Sequence, residues 1–442
     1  MTKAGDITSG FVQTVAALGV CLVAAAPPCR GGQAAFGVIY NNQGYPNPQG
    51  LVEGSPGVFY YTAGSAGPTG YFSVTLDGKR TTLGAPATGS FFSAYAVSGP
   101  DQRFYASVCN SPTQTCGLFS VASAPGGQRL STQSAPCSPD QNLPDGAFLG
   151  LGTGPSHELG FAHCDTDGTV SYIALMPGAG NVMDSDIYAQ DGNYYGVLLN
   201  GAGIGSVVQA TPSGAVTALY TLPSNTFTKG GAGTPILMGT DGNLYGSIST
   251  GGANGTGMVY KLTLSGQFTL LHSFEKGKYV SGPSDLIQAS DGNLYGDMQS
   301  GSDSRVFRIT TSGQYTELTG LYSMGCYCLL LQGSDGVIYG LASSGGTAGY
   351  GGIFAIDAGL PKPMPQALKF APQHGPVGTR VRIWGYNLLG ASVQFGSQPG
   401  DDVVNSGPNY VWVTVPAGAN SGPITVTTPG GTAVTVASFK VE

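Results

Sequence analysis

The sequence predicts an all-β protein: a seven-bladed β-propeller followed by an immunoglobulin-like β-sandwich. Three observations point there. A turn-and-strand motif recurs seven times, the composition is rich in glycine and poor in charge, and the C-terminal segment alternates apolar and polar residues. At 442 residues the chain is long enough for two or three domains. Its 73 glycines and 9% charged residues stand beside 41% apolar residues, so a core can form. Abundant Ser, Thr, Gly, Val and Tyr suit short strands joined by tight turns.

The motif is clearest as Asp241-Gly-Asn-Leu-Tyr-Gly246 and Asp291-Gly-Asn-Leu-Tyr-Gly296. Weaker copies are Asp191-Gly-Asn-Tyr-Tyr-Gly196 and Asp335-Gly-Val-Ile-Tyr-Gly340. Pro56-Gly-Val-Phe-Tyr-Tyr61, Asp101-Gln-Arg-Phe-Tyr-Ala106 and Ser156-His-Glu-Leu-Gly-Phe161 read as degenerate copies. Their fifth positions fall at 60, 105, 160, 195, 245, 295 and 339, in steps of 45, 55, 35, 50, 50 and 44 residues. That period suits a four-stranded blade. In one unit, strands are expected at 236–238, 244–248, 258–262 and 268–272, with the Asp241-Gly242 turn between the first two. The seventh unit has only three strands before the chain leaves near Gly359. Ala35 to Tyr40 can supply the fourth and close the ring without an exposed edge.

The expected division is an apolar N-terminal segment at 1–30, a propeller at 31–360, a Pro-rich linker at 361–366 and a sandwich at 367–442. The run from Phe11 to Ala26 after Lys3 resembles a secretory signal, but Asp6 and Pro27 argue against ordinary cleavage there. Leu18-Gly-Val-Cys21 is a poor lipobox. A retained segment that packs into a neighbouring subunit is the other reading. No stretch reads as a transmembrane span.

Eight cysteines, many beside turns, suit an oxidising compartment, with free buried thiols as the alternative. Cys109 and Cys116 flank a hairpin end, and Cys137 and Cys164 are a second candidate pair. If the ring closes as proposed, Cys29 comes near Cys326 or Cys328, with Cys21 the remaining candidate.

The repeats resemble the bacterial Gloeo/Verruco (GloVer) tandem repeat. Residues 286–296 (LIQASDGNLYG), Gly282-Pro283 and residues 257–266 (GMVYKLTLSG) carry the likeness, which is good from about 180 to 310 and fades before that. It implies a surface or secreted protein and no particular activity. Beyond the linker, Val381, Ile383, Val411, Val413, Val415, Ile424, Val426, Val434 and Val436 alternate with polar residues. Residues 367–442 resemble an IPT/TIG domain through Pro376 to Gly385, Asn387-Leu388, Ala391 to Gly396 and Val415 to Val426. The resemblance implies a spacer or interaction module, and near-balanced charge disfavours its DNA-binding version.

Chemistry is harder to find. Net charge is −7, and the 17 Lys and Arg residues form no run, which argues against nucleic acid as a partner. Histidines 157 and 163 form a conceivable metal or base pair, but no metal-ligand spacing surrounds them. Asp165-Thr-Asp-Gly168 starts like a calcium loop and lacks the later ligands, so a plain turn is expected. Nucleophile-elbow, P-loop and zincin motifs are missing. No catalytic residue, metal ligand or cofactor is therefore assigned, and the binding residues stay open. The tyrosines at 60, 105, 195, 245, 295 and 339 are expected to pack between blades. A functional residue should break the repeat rather than define it.

The expected function is non-enzymatic binding or structure outside the cell or at its surface. The partner would be a protein, a glycan or copies of the same chain, possible filaments included. The alternative is a secreted carbohydrate-active propeller enzyme, a lyase or hydrolase. A deep channel with convergent titratable groups would favour that alternative.

Overall fold

The computed structural model describes residues 34–442, except 45–47, 65–68, 86–89, 93–96, 111–114, 123–127, 130–136, 155–157, 177–181, 200–204, 223–235, 276–281, 284, 301–302, 322–323 and 326–328. The described residues form strands and turns without a helix. Seven sheets follow one another along residues 35–357. Sheets 1 to 6 span 48–84, 90–129, 138–176, 182–221, 236–273 and 286–321. Sheet 7 joins 329–332, 338–342 and 352–357 to the early strand Ala35–Asn41. Sheet 2 differs in that its first strand is split into Ser90–Phe92 and Val97–Ser98, both paired with Arg103–Asn110.

The sheets close into a circle. Each first strand lies beside the first strands of its neighbours, and sheet 1 touches both sheet 2 and sheet 7. The core is distributed accordingly. Seven apolar clusters fill the seven junctions: for example, Tyr60, Tyr71, Phe104 and Phe119 between sheets 1 and 2, and Tyr195, Ile236, Ile248 and Tyr260 between sheets 4 and 5. A single small sheet cannot bury both faces, so each junction stabilises two sheets at once. Ala35–Asn41 pairs antiparallel with Gly352–Asp357, Ala35 opposite Asp357 and Asn41 opposite Gly352.

The recurring motif has a physical reason at each position. Asp241 begins the tight turn and its Oδ1 accepts the Asn243 N–H. Gly242 takes φ 74°, where a side chain is strained. The hydroxyl of Tyr245 donates to Asp241 Oδ2 at 2.8 Å. The same bond recurs from Tyr105 to Asp101, Tyr195 to Asp191, Tyr295 to Asp291 and Tyr339 to Asp335, at 2.6 to 2.9 Å. These buried tyrosines brace their own turns. The closing glycine leaves room for an aromatic ring of the third strand: a Cβ on Gly340 would lie 2.0 Å from Phe354 Cζ. Gly340→Ala is therefore expected to cost about 1 to 3 kcal/mol by overpacking. Chemical denaturation would show it, and an unchanged midpoint would refute this account of the motif.

One motif assignment is corrected. Sheet 3 has its first turn at Asp145-Gly146 and its second strand at Phe148–Thr153, whereas Leu159–Cys164 is its third strand. Ser156 to Phe161 is therefore no copy of the motif, and the fifth position is Leu149. The steps become 45, 44, 46, 50, 50 and 44 residues. Leucine at the tyrosine position is what hid the copy.

Residues 366–441 form a two-layer sandwich. One layer contains 366–371, 380–386, 410–414 and 401–406, and the other 374–375, 431–441, 422–428, 392–395 and 398–399. Val381, Ile383, Phe395, Val413, Val426 and Phe439 fill it from both layers. Val434 and Val436, expected on the same alternation, are 56% and 98% exposed.

Candidate functional site

The first strands surround the axis of the ring, so a side chain there that departs from the repeat marks a candidate site. Counting back from each turn aspartate, the fifth residue is Ile236, Leu286 and Leu330 in sheets 5 to 7, all buried. Sheets 3 and 4 place Asp140 and Asp186 at this position. Asp186 lies opposite Gly196 in the ladder, and Asp140 occupies a bulge between Pro139 and Gln141.

Asp140 and Asp186 come close enough across the junction for each carboxyl to act on the other. Asp186 is 6% exposed, and neither of its oxygens meets an N–H or O–H donor among the described residues. Burial and the second carboxyl beside it therefore favour the protonated form. Burial, which disfavours the charged form, pushes Asp140 up to about 6. Burial and the neighbouring Asp140 charge push Asp186 well above the usual carboxylate range.

Other carboxyls on first strands tie sheets together. Asp285 accepts the Leu286 N–H and, at 2.6 Å, the Leu330 N–H of sheet 7; burial still raises it to about 6. Gln288 Oε1 accepts the Thr240 N–H, and Gln332 Oε1 accepts the Ser290 N–H, each at 2.8 Å from the preceding sheet. At the ring closure Glu53 takes this place, accepting from Ser334 N at 2.7 Å and Ser334 Oγ at 2.9 Å. Its burial outweighs those bonds and raises its pKa.

A carboxyl raised in the fold binds its proton more tightly there than in the unfolded chain. The stability from such a group is complete below about pH 4 and is lost as pH climbs through its folded value, here about 6 for Asp140 and Asp285. Melting temperature is therefore expected to fall by several degrees between pH 5 and pH 8. Asp140→Asn should flatten the curve. Calorimetry across that range checks both, and a melting temperature that rises with pH would overturn the assignment.

The sandwich docks on the ring face that carries the first turns. Trp384 and Tyr410 share an apolar cluster with Leu143, Tyr188 and Tyr194. Tyr410 Oη donates to Leu143 O at 2.6 Å, Trp412 Nε1 to Pro100 O at 2.6 Å, and Lys369 Nζ to Tyr188 Oη at 2.9 Å. Gln141, beside Asp140, accepts the Tyr188 N–H and donates to Tyr386 Oη at 3.2 Å. The acid pair thus stands next to the docked sandwich. Its tryptophans read only as strand residues in sequence, because nothing in period-two alternation distinguishes a docking face.

Among the sequence candidates, Cys137 and Cys164 form a disulfide with Cα atoms 6.2 Å apart. Cys109 and Cys116 lie directly opposite in their hairpin. Cys21, Cys29, Cys326, Cys328, the run from Phe11 to Ala26 and His157 lie outside the described residues. His163 Nε2 contacts Asp145 Oδ2 at 2.7 Å. Among the described residues no three His, Cys, Asp or Glu side chains group as a metal site. Asp165 to Gly168 is a plain turn, closed by Asp165 N to Thr169 O and Gly168 N to Asp165 O. No helix of the described residues is long and apolar enough to cross a membrane.

Residues 181–367 match the Gloeobacter/Verrucomicrobia repeat family. The repeat so named holds Asp186 and all of sheets 5 and 6. No curated protein matches the chain. Among solved structures, a catalytically inactive virginiamycin B lyase from Staphylococcus aureus, solved with quinupristin, is similar at 14% identity and TM-score 0.54. It covers 74% of this chain and 99% of its own. The BP39L lectin from Burkholderia pseudomallei is similar at 11% identity and TM-score 0.50, covering 71% and 97%. At these identities the likeness is one of fold, that of a propeller-like ring of small sheets.

Proposed function

We propose that this protein is a non-enzymatic binding protein acting outside the cell or at its surface, and that the axial wall of its ring reads a glycan. The observation that carries this reading is the Asp140–Asp186 pair, placed where the repeat otherwise holds leucine or isoleucine. Two carboxyls that retain one proton offer an O–H donor beside several acceptor lone pairs, a match for adjacent sugar hydroxyls. Low charge and paired cysteines support an extracellular setting. The C-terminal sandwich is read as an IPT/TIG module that caps one face of a seven-bladed propeller.

The same pair favours a second reading, a secreted carbohydrate-active lyase or hydrolase. Its geometry supports that less well. Glycoside hydrolases hold two carboxyls about 5 to 9.5 Å apart with the scissile bond between them. Here Asp186 is 6% exposed within the junction rather than standing across an open cleft from its partner. Incubating the purified protein with a panel of neutral and acidic oligosaccharides separates the readings. Retention without new products supports binding, cleavage products support the enzyme, and no retention of any glycan overturns the proposal.

A further inference from the structure

A second site lies away from the ring axis, where sheets 1 and 2 meet the sandwich. We infer that this cleft binds a carboxylate-bearing sugar, a uronate unit of an acidic glycan. It lies between the first turns of sheets 1 and 2 and the sandwich segment 405–407, with a cavity volume of about 190 Å³, room for about one sugar ring. Arg103 is the one charged residue in its lining. The guanidinium Nε is buried without a hydrogen-bond partner. Ser98 and Ser406, 2% and 1% exposed, line the cleft with hydroxyls that also find no partner among the described residues. Three buried polar groups left unsatisfied together are costly unless something meets them.

Asp101, two positions before Arg103, is already engaged. Asp101 accepts the Tyr105 hydroxyl at 2.7 Å on one oxygen and the Arg103 N–H at 3.2 Å on the other. The guanidinium is left for an outside anion, which it can grip in a planar fork. Tyr60 and Phe104, stacked at 3.8 Å, also line the cleft and suit the apolar face of a sugar ring. One cation, two hydroxyls and an aromatic wall therefore match a sugar carboxylate better than a neutral sugar or a bare anion.

This inference shares the ligand class of the reading above, but it stands on different residues and is tested separately. Titration calorimetry with glucuronate and galacturonate oligomers, their neutral counterparts and sodium acetate is run on the wild type and on Arg103→Gln, Arg103→Lys and Asp186→Asn. Uronate oligomers should bind at least tenfold tighter than either control. Arg103→Gln should remove that preference while melting as the wild type does, and Arg103→Lys should restore part of it. Asp186→Asn should leave it intact. Equal binding of acetate, unchanged uronate affinity in Arg103→Gln, or tighter binding of a peptide C-terminal carboxylate each overturns the cleft assignment. Uronate binding lost in Asp186→Asn and kept in Arg103→Gln would leave the axial site standing and this one refuted.

Discussion

Deleting residues through Asn41 is expected to leave a chain that no longer folds to a soluble monomer. Ala35–Asn41 is the fourth strand of sheet 7, and without it the edge at Gly352–Asp357 is bare. An unpaired edge of mostly apolar, buried residues is a template for another chain. The strand itself is only half-buried, with Val38 42% exposed, so its contribution is mainly ladder hydrogen bonding plus the packing of Phe36 on Phe354 at 6.0 Å. Six register pairs at about 1 kcal/mol per hydrogen bond give a loss on the order of 5 kcal/mol, comparable with the whole stability of a typical domain. Glu53→Ala removes only the side-chain half of the closure, its bonds to Ser334, and should cost about 1 to 3 kcal/mol. Light scattering and thermal melts of both variants provide the check. A synthetic peptide covering 34–42 should rescue the deletion if pairing is what was lost. A deletion variant as soluble and stable as the wild type would refute ring closure by this strand.

The architecture was legible because it repeats. Asp-Gly turns with a tyrosine at the fifth position mark second strands, and the unit at 236–273 was readable nearly to the residue. Legibility failed where the motif's chemistry was replaced. In sheet 3 Leu149 stands for tyrosine, and the motif's pattern points instead to Ser156 to Phe161, one strand too late. The site was not legible for a related reason. Asp140 and Asp186 are 46 positions apart, and neither resembles a motif. They become a pair only when two first strands are set side by side around an axis. Asp140 also sits in a bulge, so alternation along its strand gives the wrong face. The signal that was available was the gap in the repeat, an acid where three other sheets hold Ile236, Leu286 and Leu330. The cleft at Arg103 was beyond reach, because it needs the sandwich docked on the ring.

Asp186→Leu is expected to make the protein more stable and to abolish glycan retention at the ring axis. Leucine restores the residue type that sheets 6 and 7 already hold at this position, where it is buried. The wild type buries a carboxyl whose oxygens meet no donor among the described residues, an arrangement with a desolvation penalty of several kcal/mol. Replacing it should return about 1 to 3 kcal/mol at pH 7, a rise of about 2 to 6 °C in melting temperature. The gain should shrink toward pH 4, where Asp186 is protonated and its burial cost falls away. Asp186→Asn, nearly the same shape, separates charge from volume: it should show the same pH trend even if leucine overpacks the junction. A residue kept at a cost to stability, where the neighbouring sheets hold leucine or isoleucine, is retained for what it contacts rather than for what it holds together. That argument collapses if both variants melt below the wild type at pH 7, since the carboxyl would then be structural. It equally collapses if both retain glycans as the wild type does.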